Sequence, residues 1–133
     1  MKKLLAFAFT ILLAGPAFAV RTALTVVPSI RAGVSVSFTS CDLVNGNSFM
    51  NDGQTVLMVR NTGASPVSLT IRTSVIIDGD LVVQNRVVAV PVSTAAAPAF
   101  MLGAFLVQVY NQVDGHVWLD CAAALLIVPL NVQ

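Results

Sequence analysis

From Val34 onward the chain consists of short β-branched runs separated by turn residues, and helix signals are almost absent. Period-2 runs bounded by Gly, Pro, Asn and Asp are the mark of half-buried strands. Strung at short intervals, they restrict the fold to an all-β sandwich or barrel. Val34-Ser35-Val36-Ser37-Phe38 alternates strictly and reads as a strand. Thr55 to Asn61 reads as the next, and Val67, Leu69 and Ile71 alternate with Ser68, Thr70 and Arg72 after an Asn61-to-Pro66 connection. These two runs are expected to form the best-defined antiparallel pair. Asp78-Gly79-Asp80 predicts a tight turn, because Asp-Gly accepts positive φ. Arg86 to Val92 is a further strand, and Pro91 places it at an edge or at its end.

Toward the C-terminus, Phe100 to Phe105 and Leu106 to Tyr110 read as strand pieces kinked near Gly103. Asn111 to Gly115 is a turn, and Val117 to Asp120 and Ala124 to Val128 close the domain. The expected architecture is one antiparallel β-sandwich, jelly-roll- or Ig-like, of about seven or eight short strands.

The start of the chain is written differently. Lys2 and Lys3 precede an apolar run from Leu4 to Leu13; Gly15-Pro16 and Ala17-Phe18-Ala19 follow. That order is the layout of a secretory signal peptide with its apolar helix, cleaved between Ala19 and Val20. The run is well short of the roughly 20 residues that span a bilayer, so contact with membrane is expected only during export. The expected division is a signal over residues 1–19 and one β-sandwich domain over 20–133, in the periplasm or outside the cell.

Of the 133 residues, removal of the first 19 leaves 114, carrying five arginines against six aspartates, a formal charge of −1. Both lysines leave with the signal, and there is no glutamate. Scattered arginines at this balance give no electrostatic footprint for nucleic acid. Low net charge favours association, so a protein lattice or sister subunits are the expected partners.

An exported protein with two cysteines, Cys41 and Cys121, is read as carrying a disulfide between them. The alternative is two buried free thiols. Closing an 80-residue separation is worth roughly 4–5 kcal/mol in the chain-entropy picture. Two Cys and one His lack the ligand number and spacing of a zinc site.

Catalytic motifs do not emerge. His116 follows a turn and has Asp114 and Asp120 nearby, but no Ser or Cys stands in a nucleophile motif. Asp52, Asp78, Asp80 and Asp114 lie in glycine-containing turns without the spacing of a calcium loop. Gly53, Gly63 and Gly79 are isolated, not a phosphate cradle. Trp118 and Tyr110 are expected in the core or at its rim, and Arg60 and Arg72 on wetter strand faces are candidate surface contacts. No cofactor or metal is expected, and the chain reads as a non-enzyme.

Several blocks carry a resemblance. They are Arg21-Thr22-Ala23-Leu24-Thr25-Val26, Asn45-Gly46-Asn47-Ser48-Phe49, Asn51-Asp52-Gly53-Gln54-Thr55, the strand Val56 to Asn61 and Gly63 to Ile71. Asp78-Gly79, Val87 to Val92, Gly103-Ala104-Phe105, Val109-Tyr110-Asn111 and Asp114-Gly115-His116-Val117 continue it. In this order they resemble small β-sandwich proteins encoded beside the major capsid genes of tailed phages and prophages, which decorate the head surface. Ala104 stands where that family usually has proline, Gln112 where it has an acidic residue, and Cys41 and Cys121 where it has small or polar residues. The resemblance implies a structural protein that attaches to a protein lattice. A virion protein assembled in the cytoplasm has no use for a signal, so the expectation is an exported relative of that domain. The alternatives are a genuine virion decoration protein and a pilus-type or self-assembling surface subunit. A secreted enzyme or small-ligand binder comes last.

Overall fold

The computed structural model describes residues 20–132. The expected signal over residues 1–19, with the expected cleavage after Ala19, lies outside them, as does Gln133. Val20 is the first described residue and is exposed.

Nearly all the regular structure of the described chain is strand, in two five-stranded sheets and one separate hairpin. The first, sheet A, runs β1 (Thr22–Ala23), β4 (Asn47–Met50), β11 (His116–Cys121), β6 (Val67–Ile71) and β9 (Arg86–Val90) in spatial order. In the second, sheet B, β10 (Phe100–Leu102), β5 (Thr55–Arg60), β12 (Leu126–Asn131) and β2 (Val27–Pro28) follow one another. There β3 (Thr39–Ser40) shares the β12 edge with β2. The hairpin joins β7 (Ile76–Ile77) to β8 (Leu81–Val82). Seven of these strands, β4, β5, β6, β9, β10, β11 and β12, have three or more residues.

The core forms where period-2 alternation turns one side of each strand inward. Strand β5 alternates buried and half-buried along its length, with Leu57 and Val59 fully buried. Val117 and Leu119 do the same on β11, and Leu69 and Ile71 on β6. Side chains of both sheets belong to one cluster, in which Phe49 meets Phe105 edge to face.

Pro129 stands inside the central strand β12, where proline is usually excluded. On the edge facing β2 and β3, the ladder covers Leu126–Ile127 and Leu130–Asn131 and skips Val128–Pro129. The missing N–H therefore removes no ladder bond on that side.

Four expectations need correction. The sheets are mixed, not antiparallel, because an N-terminal strap lays β1 parallel to β4 and then β2 parallel to β12. The Thr55 and Val67 runs are both strands, but they do not pair. Strand β5 lies in sheet B and β6 in sheet A. Buried Asn61 turns the chain between them, its Nδ2 donating to Ser65 O at 2.8 Å and Val90 O at 3.1 Å. Val34–Phe38 joins no ladder, and only the following Thr39–Ser40 does. Leu106–Tyr110 is not a strand either: Val107–Tyr110 makes one helical turn, α1, in which Tyr110 and Asn111 donate back to Leu106 O and Val107 O.

The Asp78-Gly79 turn and the edge position of Arg86–Val90 are as expected. Asp78 and Gly79 have φ of 55° and 83° at the hairpin tip, and β9 ends just before Pro91 at the border of sheet A. Cys41 and Cys121 are bonded, with Cα atoms 6.4 Å apart. The bond ties the end of β3 to β11, the last strand but one, rather than to the final strand.

Candidate functional site

Strand β11 carries most of the chain's chemical variety. Its alternation buries Val117 and Leu119 and turns His116, Trp118 and Asp120 to the outer face of sheet A. Asp120 is held between two arginines. Its Oδ1 lies 2.9 Å from Arg21 Nη2, and its Oδ2 accepts from Arg72 Nε at 2.6 Å.

The Arg21 side chain, only 12% exposed, is the better enclosed of the two. Nη1 donates to Leu119 O at 2.8 Å and Asn47 O at 3.4 Å, and the guanidinium carbon sits 4.7 Å from the Trp118 ring centroid. A guanidinium is a planar fork of five donors that stacks on aromatic faces, and this pocket uses both properties. Gly46 makes the approach possible. A Cβ there would collide with Arg21 Nη1 and the Asp120 carboxylate and lie 2.7 Å from Leu119 O, and its φ of +70° disfavours any side chain.

Beside this cluster the Asp114 turn orients two rings. Asp114 Oδ1 accepts from the His116 N–H at 3.0 Å, its Oδ2 from Trp118 Nε1 at 3.2 Å, and His116 Nδ1 lies 2.9 Å from Asp114 O. The strap has a second clasp in Asp42, whose Oδ2 accepts from Thr22 Oγ1 at 2.6 Å and whose Oδ1 accepts from the N–H groups of Val44 and Asn45. The Thr22 hydroxyl first, then the backbone donors of Asn45 and Val44, hold the Asp42 carboxyl far below the usual carboxylate range. The Gln54 N–H and the Asn131 amide lower Asp52 in the same way.

Together these residues line an open groove of about 550 Å³, with Arg21, Arg72, Asp114, His116, Trp118 and Asp120 on its walls. Both carboxylates are committed to cations or N–H donors of the protein itself. Arg72 is the more accessible cation, and its Nη groups have no hydrogen-bond partner among the described residues. What the groove offers is hydrogen bonding and an aromatic surface.

Of the residues singled out from sequence, Arg72, Asp114, His116, Trp118 and Asp120 share this groove, and the others lie elsewhere. Asp52 and Asp114 each accept from the N–H two residues on, as turn aspartates do. Among the described residues no three His, Cys, Asp or Glu side chains gather as a metal site. Arg60 belongs to sheet B and lies over the Phe38 ring at 5.2 Å, whereas Arg72 belongs to sheet A. Tyr110 packs edge to face on Phe105, against the core. Sequence reasoning missed the roles of Arg21, Asp42 and Asp120. Contacts spanning 98 positions, as Arg21 to Leu119 does, leave no local pattern.

A second surface is apolar. Ile76, Ile77, Leu81 and Val82 on the hairpin, and Val87 on edge strand β9, are each more than half exposed. Val82 and Val87 line one shallow depression with Thr70, Gln84 and Asn85, so hairpin and edge strand form one continuous surface. No family model matches this chain, and neither do any curated proteins or solved structures.

Proposed function

We propose that the chain is an exported, non-enzymatic attachment protein. In this reading its two sheets form a β-sandwich that docks on a repetitive protein lattice or on sister subunits. The observation that carries the proposal is the run of exposed aliphatic side chains on β7–β8 and β9. Contiguous apolar surface on a small domain marks an interaction site, since leaving it in water is unfavourable and solvated domains rarely keep it. An edge strand beside it adds unpaired backbone groups to the same surface. The Cys41–Cys121 bond supports an oxidising compartment. The resemblance to capsid-decorating proteins supports a lattice as the docking surface.

Sedimentation velocity over a wide concentration range tests the sister-subunit form. The exported protein is expected to associate, and Leu81→Asp with Val82→Asp to abolish association without unfolding it. A strictly monomeric parent at high concentration would remove self-assembly from the reading. Mass spectrometry of the secreted chain is expected to give an N-terminus at Val20; an intact Met1 would sink the export reading.

A further inference from the structure

Two segments of this chain fit the same edge of β12. Strand β3 pairs antiparallel with it, Thr39 opposite Ile127 and Ser40 opposite Leu126. Continued residue by residue, that register sets Phe38 opposite Val128, Ser37 opposite Pro129, Val36 opposite Leu130 and Ser35 opposite Asn131. Leu130 and Asn131, however, are the residues that β2 holds, through Val27 and Pro28.

The displaced segment, Val34–Phe38, has the strict alternation of a strand yet no ladder. It already lies alongside: Ser35, Ser37 and Thr39 line a groove of about 360 Å³ with Val27, Ile127, Val128 and Pro129. An edge with two competing partners is a two-state element.

We propose that the N-terminal strap, Val20–Ile30, is exchanged between copies of this chain. When it leaves, Val34–Phe38 extends β3 along β12 and closes the edge of sheet B. On sheet A the departing strap uncovers the β4 edge, the carbonyls of Leu119 and Asn47, and the Asp120 carboxylate. That vacancy, with two carbonyls and Asp120 Oδ1 left without their donor, is shaped for a guanidinium on a parallel strand, which the strap of a second copy supplies with its own Arg21 and β1. Nothing covalent prevents the exchange, because the strap precedes Cys41 and the disulfide holds only Cys41 and Cys121. The strap is joined to the competing segment through the exposed Arg31–Gly33 stretch, which acts as the hinge. Exchange of an identical element is a low-cost route to assembly. The incoming strap remakes the β1–β4 pairing and the Arg21 contacts, and Val34–Phe38 takes the β12 edge that β2 leaves. This goes beyond the apolar docking surface and does not depend on it.

The register of β1 on β4 supplies the test: Ala23 lies opposite Ser48. The full chain is secreted as Ala23→Cys, as Ser48→Cys and as the double variant, and the two single variants are mixed. Exchange is expected to give a disulfide dimer joining position 23 of one copy to position 48 of the other, with Cys41–Cys121 intact by peptide mapping. The double variant is expected to close within one chain and to lose the strap-exchanged dimer. Ser37→Pro, which removes a backbone donor on the side facing β12 (the Cys41 N–H bond to Leu125 O sets the alternation), is expected to lower the dimer yield several-fold. Closure of the double variant with no mixed dimer would overturn the proposal. A mixed dimer whose yield ignores Ser37→Pro would overturn the competition for β12.

Discussion

The two ends of sheet A use opposite means. At the β1–β4–β11 end the charged side chains are engaged: Arg21 and Arg72 on Asp120, Asp42 on Thr22, Asp114 on His116 and Trp118. At the β9 end and its hairpin, large aliphatics face solvent, and Asp78, Asp80 and Arg86 make no ion pair among the described residues. Charge here fastens the protein to itself, holding a strap whose ladders are two residues each. The apolar end has no such fastening. A partner of the kind proposed would be bound there by burial of hydrocarbon, which tolerates salt where ion pairs would weaken.

Removing the disulfide tests the fastened end hardest. Cys41→Ser with Cys121→Ser is expected to lower stability by roughly 2–5 kcal/mol, read from denaturant unfolding. By hydrogen exchange the loss of protection is expected first in β3, β11 and the strap, with β9 following only on global unfolding. A uniform loss across both ends would show that the two are one cooperative unit.

Gly46→Val comes next. Its side chain has to occupy the place of the Arg21 guanidinium at a positive φ, and about 2 kcal/mol or more of destabilisation is expected. Trp118 fluorescence should change with it, because Arg21 can no longer stack on the ring. A Gly46→Val protein with unchanged emission would mean that the stack does not persist in solution.

How much of this was legible in sequence differs by range. Thr55–Arg60, Val67–Ile71 and Arg86–Val90 announced themselves because period 2 is a local property of a strand with one dry side. The partner of each strand is not local. Six residues between two strands read as a hairpin loop, yet Asn61 uses them to cross from one sheet to the other. Val107-Gln108-Val109-Tyr110 has strand-like composition and still makes a helical turn, since β propensity is a weak preference that tertiary context overrides. The disulfide was legible from number and compartment alone. The Arg21–Asp120–Arg72 cluster was not: its members come from β11 and from segments remote from it in sequence, and none stands in a motif.

Acid separates the two ends next. Asp42 titrates well below the value of about 3.9 that it has in an unfolded chain. A depressed native pKa contributes stability that is fully present above the unfolded value and is lost as pH falls below it toward the native one. Stability is therefore expected to be level in this respect above about pH 5 and to fall below about pH 4. Asp52 adds to the same slope through Gln54 and Asn131. Asp42→Asn should flatten the fall, with the strap exchanging its amides faster at neutral pH than in the parent. If the acid slope of Asp42→Asn equals that of the parent, the Thr22 clasp does not hold the strap.

The smallest expected effect on folding belongs to the apolar end. Ile77 and Leu81 face each other across the hairpin, both more than half exposed. Changing both to Thr preserves strand propensity while removing hydrocarbon from the surface. Because neither side chain is buried in the core, stability should move by no more than about 0.5 kcal/mol. Association should nonetheless weaken, since those side chains are what the surface offers a partner. A loss of stability above about 1 kcal/mol would place the hairpin among packed elements. The contrast between a fastened end and a bare one would then fail, because the exposed aliphatics would be serving the fold rather than a partner.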